Sequence, residues 1–282
     1  MMKKLILNIY NFIFLFFEKY FKIHITRAHF YSPIPDLYEI QNKDYEKVFK
    51  TDGVNLNIKY QIANINILCK NFSHEFIPYK NDGLSLVDSF MLYAFIRQKK
   101  PKKIVEIGSG DTTKIILKAL NENKKKGFEG NLFSINPYNK IFKSKISDNF
   151  EIINKKIQDM PLDFFKDLDF LFIDSSHISK FESDVNFEIL EVIPIIKNKG
   201  AIIHWHDIHF PKNYSKDVIE NKKRNSFWNE SYMVHSFLLY NNRYKIIYAG
   251  KYLQLYYFDI LKNNFPYLNQ SHLLTSMYIQ MN

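Results

Sequence analysis

Residues 105–113 read VEIGSGDTT, an apolar run that passes through two closely spaced glycines into a polar, helix-forming stretch. The apolar run predicts a buried strand, and Asp111 or Thr112 can cap the helix that follows. Gly108 and Gly110 allow positive φ angles and a close approach of a ligand to the backbone. The segment therefore predicts a strand–turn–helix unit whose free N–H groups face an electron-rich, nucleotide-like ligand.

The glycine spacing differs from that of dinucleotide-binding proteins. Their G-x-G-x-x-G fingerprint needs a third glycine three residues after the second, and Thr113 stands at that position. The acidic Glu106 disfavours a phosphate but suits a ligand with a positive sulfonium or ammonium group. The turn thus argues against NAD and FAD. The alternative is a glycine turn that serves chain topology alone.

Apolar runs and helical stretches alternate along much of the chain. A helix is predicted at 84–97, and strands are predicted at 103–108, 131–135, 150–157, 169–174 and 200–205. The segments 243–250, 254–258 and 276–281 can supply further strands. Such alternation predicts βαβ units, and hence an α/β domain whose parallel sheet is covered on both faces.

Composition limits the class of protein. With 282 residues, of which 46% are hydrophobic and 17% aromatic, the chain can bury one α/β domain with an added segment, and disorder is disfavoured. The net charge of +10 suits a polyanion, an acidic substrate or an anionic membrane without selecting among them. The single cysteine, Cys69, excludes an internal disulfide framework and predicts a cytoplasmic protein.

Residues 5–17 form an apolar stretch behind two lysines. Because no small residue precedes Ala28, signal cleavage is not expected. As a helix the stretch reaches about 20 Å, short of the ~30 Å hydrocarbon core of a bilayer. Two interpretations stay open: residues 3–22 lie in the inner membrane interface, or their apolar arc docks on the protein's own core or on a second subunit. The polar stripe opposite that arc comprises Lys4, Asn8, Asn11, Glu18 and Lys22.

The E-x-G-x-G turn after the first predicted strand resembles the first motif of class I methyltransferases that use S-adenosyl-L-methionine (SAM). The resemblance covers about residues 81–282. It implies a Rossmann-like, doubly wound, mostly parallel seven-stranded sheet. Residues 1–80 would then form an N-terminal amphipathic helix and a helical or irregular cap segment.

The same resemblance implies where SAM contacts the chain. Asn136 would meet the ribose in place of the usual acidic residue, and Gln158 or Asp159 would reach the adenine amine, with a surface loop as the alternative for that pair. Asp174 would also lie at the cofactor. The methionine part of SAM would be surrounded by Glu106, Gly108, Ser109 and Gly110.

Polar residues follow the fourth and fifth predicted strands. Asp174 and His177 come after the fourth strand, and His206 and Asp207 after the fifth. Because the carboxyl ends of parallel strands form one crevice, these side chains are expected to converge near the glycine turn. Two carboxylates with imidazole suit Mg or Mn, and imidazole also admits Fe, Co or Zn. The alternative is that Asp174 caps a turn and that the alternating histidines are core or surface residues.

These four residues resemble the pattern of metal-dependent O-methyltransferases of the catechol and macrolide-sugar types. The resemblance implies that Asp174, His206 and Asp207 bind Mg or another divalent cation and that His177 is the general base. His206 stands where that family has an acidic or amide ligand. A metal-free variant would use His177 or His206 alone as the base.

The segment 226–240 is predicted to be a helix that packs on the core. Its first residues, Trp228, Asn229 and Glu230, are candidates for lining the substrate pocket because they follow the fifth strand. The long, basic loop at 209–225 is predicted to be a lid.

The sequence predicts a SAM-dependent O-methyltransferase that acts on a hydroxyl of a small molecule or glycan, which could be lipid-linked. An RNA methyltransferase is the alternative suggested by the charge, but no RNA-binding module or N-P-P-Y-like motif is present, so no specific nucleic acid is expected. A non-catalytic binding protein with the same fold is the third interpretation. Homo-oligomer formation is left open.

Overall fold

The computed structural model describes residues 2–25, 29–32, 34–78, 83–138, 148–219 and 226–282. These residues divide into two compact units, Met1–Tyr45 and Glu46–Asn282. The first unit contains helices α1 (Met2–Phe21) and α2 (Leu37–Ile40). The side chains of residues 2–8, including two members of the predicted polar stripe, lie outside the description. No described helix is both long and apolar enough to cross a bilayer.

The second unit is built on a sheet that has seven strands within the described residues. Their order is β3-β2-β1-β4-β5-β7-β6; the first five run parallel, and β7 runs antiparallel to its two neighbours. This confirms the predicted doubly wound, mostly parallel sheet. The strand order reverses between β1 and β4, which is where such sheets bind ligands. The strands are β1 (Lys103–Ile107), β2 (Asn131–Ile135), β3 (Phe150–Ile153), β4 (Phe170–Ile173), β5 (Ile202–Trp205), β6 (Tyr244–Ala249) and β7 (Met277–Met281).

Both faces of the sheet are buried against helices. Successive residues of β4 alternate between two apolar clusters, with Phe170 and Phe172 in one and Leu171 and Ile173 in the other, because side chains along a strand point to opposite faces. A π-helical turn, Glu188–Val192, joins α6 to α7. The helices of this unit are α3 (Ile58–Phe72), α4 (Leu86–Lys99), α5 (Asp111–Lys124), α6 (Asp184–Phe187), α7 (Ile193–Ile195), α8 (Lys216–Ile219), α9 (Glu230–Leu238), α10 (Gly250–Tyr256) and α11 (Phe258–Asn264).

Helix α3 belongs to the second unit, although the sequence analysis groups residues 46–80 with the N-terminal segment. Ile65 and Leu68 are fully buried in the same cluster as α4. The side-chain oxygen of Gln61 accepts a hydrogen bond from the backbone N–H of Ala249 at 2.8 Å, which joins α3 to β6. Helix α3 thus lies on the C-terminal side of the division after Tyr45.

The tail of the chain supplies β6 and β7, but the strand considered at 254–258 is wrong. These residues end α10 and begin α11. Gly250, Leu253 and Gln254 are buried at helical spacing, whereas Leu255 and Tyr256 are exposed. The buried positions therefore follow the period of a helix rather than the alternation of a strand.

Candidate active site

The glycine turn after β1 is braced from inside by Glu106. Its fully buried carboxylate accepts hydrogen bonds from the hydroxyls of Thr112, Thr113 and Ser134, each at 2.8 Å. The hydroxyl of Thr113 also accepts a hydrogen bond from the N–H of Gly110 at 3.0 Å. Gly110 is thus the N-cap of α5, in place of the predicted Asp111 or Thr112, and Thr113 in the first turn accepts a hydrogen bond from its N–H. The carboxylate of Glu106, predicted to lie against SAM, points into the protein beneath the turn.

The stability of the fold is expected to depend on pH through Glu106. Burial raises the pKa of this carboxyl to about 7, despite the three hydroxyl donors. Between pH 4.5 and about 7 the unfolded chain releases this proton and the folded chain keeps it, so stability is lost as the pH rises through that window, by at most about 3 kcal/mol. Glu106→Gln should flatten this part of a plot of melting temperature against pH. Equal slopes for the two proteins would contradict the assignment.

The two glycines of the turn have different surroundings. Gly108 has φ +92°, and a Cβ atom there would lie 2.7 Å from the backbone oxygen of Asp174. A Cβ atom on Gly110 would meet no atom within 4 Å in the described part of the chain. The first glycine is therefore required by contact between the ends of β1 and β4. The second leaves open space over the N-terminus of α5.

A cavity of about 540 Å³ opens beside the glycine turn. This volume is within the range of small-molecule sites. Asn136 donates a hydrogen bond from Nδ2 to Oγ of Ser109 at 2.7 Å, which joins the end of β2 to the turn. Asp159 lies outside this cavity and lines a neighbouring groove. Five of the residues predicted to contact SAM line the cavity: Gly108, Ser109, Asn136, Gln158 and Asp174.

The cavity wall also includes Lys180, Glu182 and Ser183, which the sequence analysis did not identify. They lie in the connection between β4 and α6. The side chain of Gln158 donates a hydrogen bond to the backbone oxygen of Glu182 at 2.9 Å, so this connection closes one side of the cavity. No motif marks these residues, because their position follows from the path of the loop.

The polar residues at the ends of β4 and β5 converge as predicted. Nε2 of His177 lies 3.3 Å from Oδ1 of Asp174 and 3.6 Å from Oδ2 of Asp207. Nδ1 of His206 lies 3.6 Å and 3.5 Å from the same two oxygens. Both rings are buried, whereas the carboxylates are partly open to solvent. Two carboxylate oxygens thus face two imidazole nitrogens at the edge of the sheet.

Electrostatic interactions in this cluster oppose the effect of burial on the pKa values. Burial disfavours the charged ring of His177, but the carboxylates of Asp174 and Glu230 outweigh it and raise the pKa of His177 well above its usual value. Burial also disfavours ionised Asp174, yet the neighbouring rings hold the pKa of this carboxyl well below its usual range. A charged imidazole between carboxylates is therefore the stable state of the protein alone.

The backbone is left-handed at two residues of the cluster. His177 has φ +60° and Asp207 has φ +57°. Such conformations cost roughly 1–3 kcal/mol each and persist only where neighbours enforce them. The backbone oxygen of His177 accepts hydrogen bonds from the N–H groups of Asn229 at 3.0 Å and Glu230 at 3.2 Å. The start of α9 therefore holds His177 in place.

Residues just before and at the start of α9 surround His177. Fully buried Glu230 places Oε2 2.7 Å from Nδ1 of His177. The ring of Trp228 lies 4.4 Å from the imidazole, centroid to centroid. The carboxamide of Asn229 does not point into the cavity but accepts a hydrogen bond from the N–H of Ser179 at 2.6 Å. A cavity of about 720 Å³ is lined by Trp228 together with Asp174, His177, His206 and Asp207.

The predicted lid at 209–225 is only partly described, because 220–225 lie outside the described residues. Its earlier part packs into the protein: Tyr214 is 1% exposed, and its hydroxyl accepts a hydrogen bond from the N–H of Ser231 at 2.9 Å. That part is therefore a fixed wall rather than a lid.

The alternating histidines around the end of β5 have separate roles. His204 stacks on Tyr278 with 3.9 Å between ring centroids, and burial lowers its pKa well below the usual value. His209 packs against Tyr214, and burial lowers its pKa to about 3. Both are neutral core residues, so His206 alone of the three faces the carboxylates.

The donor set at the end of the sheet fits a divalent cation. Asp174, His206 and Asp207 offer ligand atoms that all lie within 4.8 Å of one another. Both ring nitrogens of His206 are buried and have no hydrogen-bond partner among the described residues. A cation between the carboxylates would give one of these nitrogens a partner.

Comparisons with known proteins show the family to which the chain belongs. A family model described as "Methyltransferase domain" matches residues 105–208, from the glycine turn to just beyond β5. An uncharacterized protein from Archaeoglobus fulgidus is 32% identical over 164 residues, which make up 50% of this chain and 72% of the relative. The glycine turn, the sheet and the match to the methyltransferase model together define a SAM-dependent methyltransferase. The chain belongs to the methyltransferase family that the matching model describes.

Two solved structures are similar over most of the chain. A methyltransferase from Podospora anserina bound to S-adenosyl-L-homocysteine is 11% identical, with 87% of this chain and 92% of that chain covered and a TM-score of 0.45. The O-methyltransferase TomG from Streptomyces achromogenes, in complex with SAM, is 10% identical, with 88% and 95% covered and a TM-score of 0.45.

Proposed function

We propose that this enzyme methylates a hydroxyl oxygen of a small molecule or glycan, with the help of a divalent cation held by Asp174, His206 and Asp207. SAM would occupy the cavity at the glycine turn, with Asn136 toward the ribose. The acceptor would occupy the cavity lined by His177 and Trp228. One observation carries this proposal furthest: both cavities have Asp174 in their walls, so a donor methyl and an acceptor oxygen can meet at the carboxylate–imidazole cluster.

The residues of the site have separate roles in the reaction. When bound, a divalent cation would neutralise the two carboxylates and thereby lower the pKa of His177 and of a nearby hydroxyl. Nε2 of His177 then accepts the hydroxyl proton, since Nδ1 is engaged by Glu230. The acceptor oxygen forms a bond to the methyl carbon as the carbon–sulfur bond breaks, which leaves the neutral sulfide S-adenosyl-L-homocysteine and a proton on His177.

Calorimetry with SAM and a methyl-transfer assay together test this proposal. We expect micromolar binding of SAM. We also expect transfer of labelled methyl groups to members of a panel of phenols, catechols, sugars and RNA, lost with EDTA and restored by added divalent cation. Activity that survives metal removal would contradict the role of the cation in the reaction. Transfer to RNA alone would contradict the proposed small-molecule or glycan acceptor. A folded protein that binds no SAM would favour a non-catalytic role.

The contact of residues 3–22 with a membrane, the cytoplasmic location and the homo-oligomer stay predictions. Sedimentation of the full chain with vesicles of anionic lipid would test the first, and sedimentation velocity without lipid would test the last.

A further inference from the structure

We propose that the cation site of this enzyme prefers a transition-metal dication, such as Fe²⁺, Co²⁺ or Zn²⁺, to Mg²⁺, because the imidazole of His206 is one of its ligands. This inference rests on the proposed function in taking the cation to lie between Asp174 and Asp207. It adds the class of metal that the site selects.

The position of His206 is fixed by the sheet. It follows β5 directly, and its N–H donates a hydrogen bond to the backbone oxygen of Ile173 at the end of β4, at 3.0 Å. The residue is 5% exposed. The backbone of His206 is therefore fixed by the pairing of two central strands, and its ring is buried at their ends.

The distances around the ring match those between ligands of one cation. Ligand atoms about 2.1 Å from a metal, at angles between 90° and 109°, lie about 3.0–3.4 Å apart. Nδ1 of His206 lies 3.6 Å from Oδ1 of Asp174 and 3.5 Å from Oδ2 of Asp207. A shift of a few tenths of an ångström would bring this nitrogen to the ligand–ligand distance from each oxygen, and the three residues offer ligand atoms within 4.8 Å of one another.

Burial without hydrogen bonds does not by itself identify a metal ligand, as His204 shows. Both its ring nitrogens also lack hydrogen-bond partners among the described residues. However, its ring is stacked on Tyr278 and packed edge-on against Phe172, as expected of a neutral core residue. The ring of His206 instead presents Nδ1, which makes no hydrogen bond to a described residue, to two carboxylates. Of these two histidines, His206 alone has the surroundings of a metal ligand.

The chemical type of the ligand atoms determines which dication the site prefers. Mg²⁺ favours oxygen ligands and releases its waters reluctantly. Imidazole suits Fe²⁺, Co²⁺ and Zn²⁺ far better than it suits Mg²⁺. Replacing an oxygen ligand by the nitrogen of His206 should thus cost affinity for Mg²⁺ and add affinity for these ions. An amide oxygen at the same position should reverse the change.

The test compares His206→Asn with His235→Asn in the full chain. His235 undergoes the same chemical change on α9, where its ring packs against Phe49 and Phe210 rather than carboxylates. Calorimetry would measure binding of Co²⁺ and Mg²⁺, with the ratio of affinities as the readout. We expect His206→Asn to lower the preference for Co²⁺ at least tenfold and His235→Asn to leave it unchanged.

A spectroscopic measurement tests the ligand directly. Electron spin echo modulation of bound Mn²⁺ should show an imidazole nitrogen in the unsubstituted enzyme and in His235→Asn, and should not show it in His206→Asn. An unsubstituted enzyme without nitrogen modulation, modulation that persists in His206→Asn, or an unchanged ratio of affinities would each overturn the inference. Nε2 of His177 faces the same two carboxylates. If His206→Asn does not fold, His177→Asn, which retains His206, should still show the imidazole nitrogen, and its absence there would overturn the inference.

SAM binding and methyl transfer are measured separately, so the two proposals fail in different ways. Selective cation binding without methyl transfer would leave the metal preference standing and end the proposed function. Methyl transfer supported equally by Mg²⁺ and Co²⁺, without nitrogen ligation, would leave the proposed function standing and end the metal preference.

Discussion

Replacing His177 with asparagine is expected to lower the rate of methyl transfer by about 10²–10⁴-fold, the usual contribution of a general base, with less than a twofold change in the dissociation constant for SAM. The ring lines the acceptor cavity and not the cavity at the glycine turn. Asparagine is chosen over alanine because it tolerates the left-handed backbone at this position. Single-turnover rates and calorimetry with SAM would measure the two effects.

Glu230 acts through His177, so Glu230→Gln should cause a smaller loss, on the order of tenfold. Glu188→Gln is the matched control: this carboxyl is equally buried, but it accepts its hydrogen bond from Ser175, and burial raises its pKa well above the usual value. Its neutral replacement should leave the rate within twofold. A collapse of SAM binding in His177→Asn would show that His177 is structural, and equal losses in the two glutamine variants would remove the special role of Glu230.

Gly108→Ala is expected to destabilise the fold by about 2 kcal/mol or more and to abolish SAM binding. The added Cβ would lie 2.7 Å from the backbone oxygen of Asp174, and the φ angle of +92° disfavours any side chain. Relief of this contact requires the ends of β1 and β4 to separate, and both line the cavity at the glycine turn, where SAM is proposed to bind. Urea denaturation and calorimetry would measure the two losses.

Gly110→Ala makes the same chemical change two residues later, in extended backbone and open space. We expect stability within about 1 kcal/mol of the unsubstituted enzyme, since alanine is a poorer N-cap than glycine by no more than about that amount and the added methyl group meets no described atom. If SAM lies over the turn, the added methyl group should weaken its binding at least tenfold. Equal destabilisation by both substitutions, or undisturbed SAM binding in Gly110→Ala, would contradict this account of the turn.

Much of the sheet could be predicted from local sequence. The strands around Val105 and Leu171 are short and apolar on both faces, which is the pattern of a parallel strand covered by helices. The rule that the carboxyl ends of such strands form one crevice then brought Asp174 and His206 together without any alignment. The tail was harder to interpret, because 254–258 has an aromatic-rich composition that suits a strand and a burial pattern that suits a helix.

The surroundings of each site residue were not predictable in the same way. The orientation of Glu106 depends on Ser134, which comes from another strand. The contact between His177 and Glu230 joins residues 53 positions apart and depends on where α9 begins. Hydrogen bonds of this kind follow from tertiary packing, and no periodicity in the sequence records them.

Three consecutive residues form a wall that the two cavities share. Asp174, Ser175 and Ser176 line both spaces, so whichever molecule binds first becomes part of the surface that the second one meets. An inhibitor that links an adenosyl group to a mimic of the acceptor past Asp174 would gain the effective concentration of a tethered pair, whatever the modest affinity of each half.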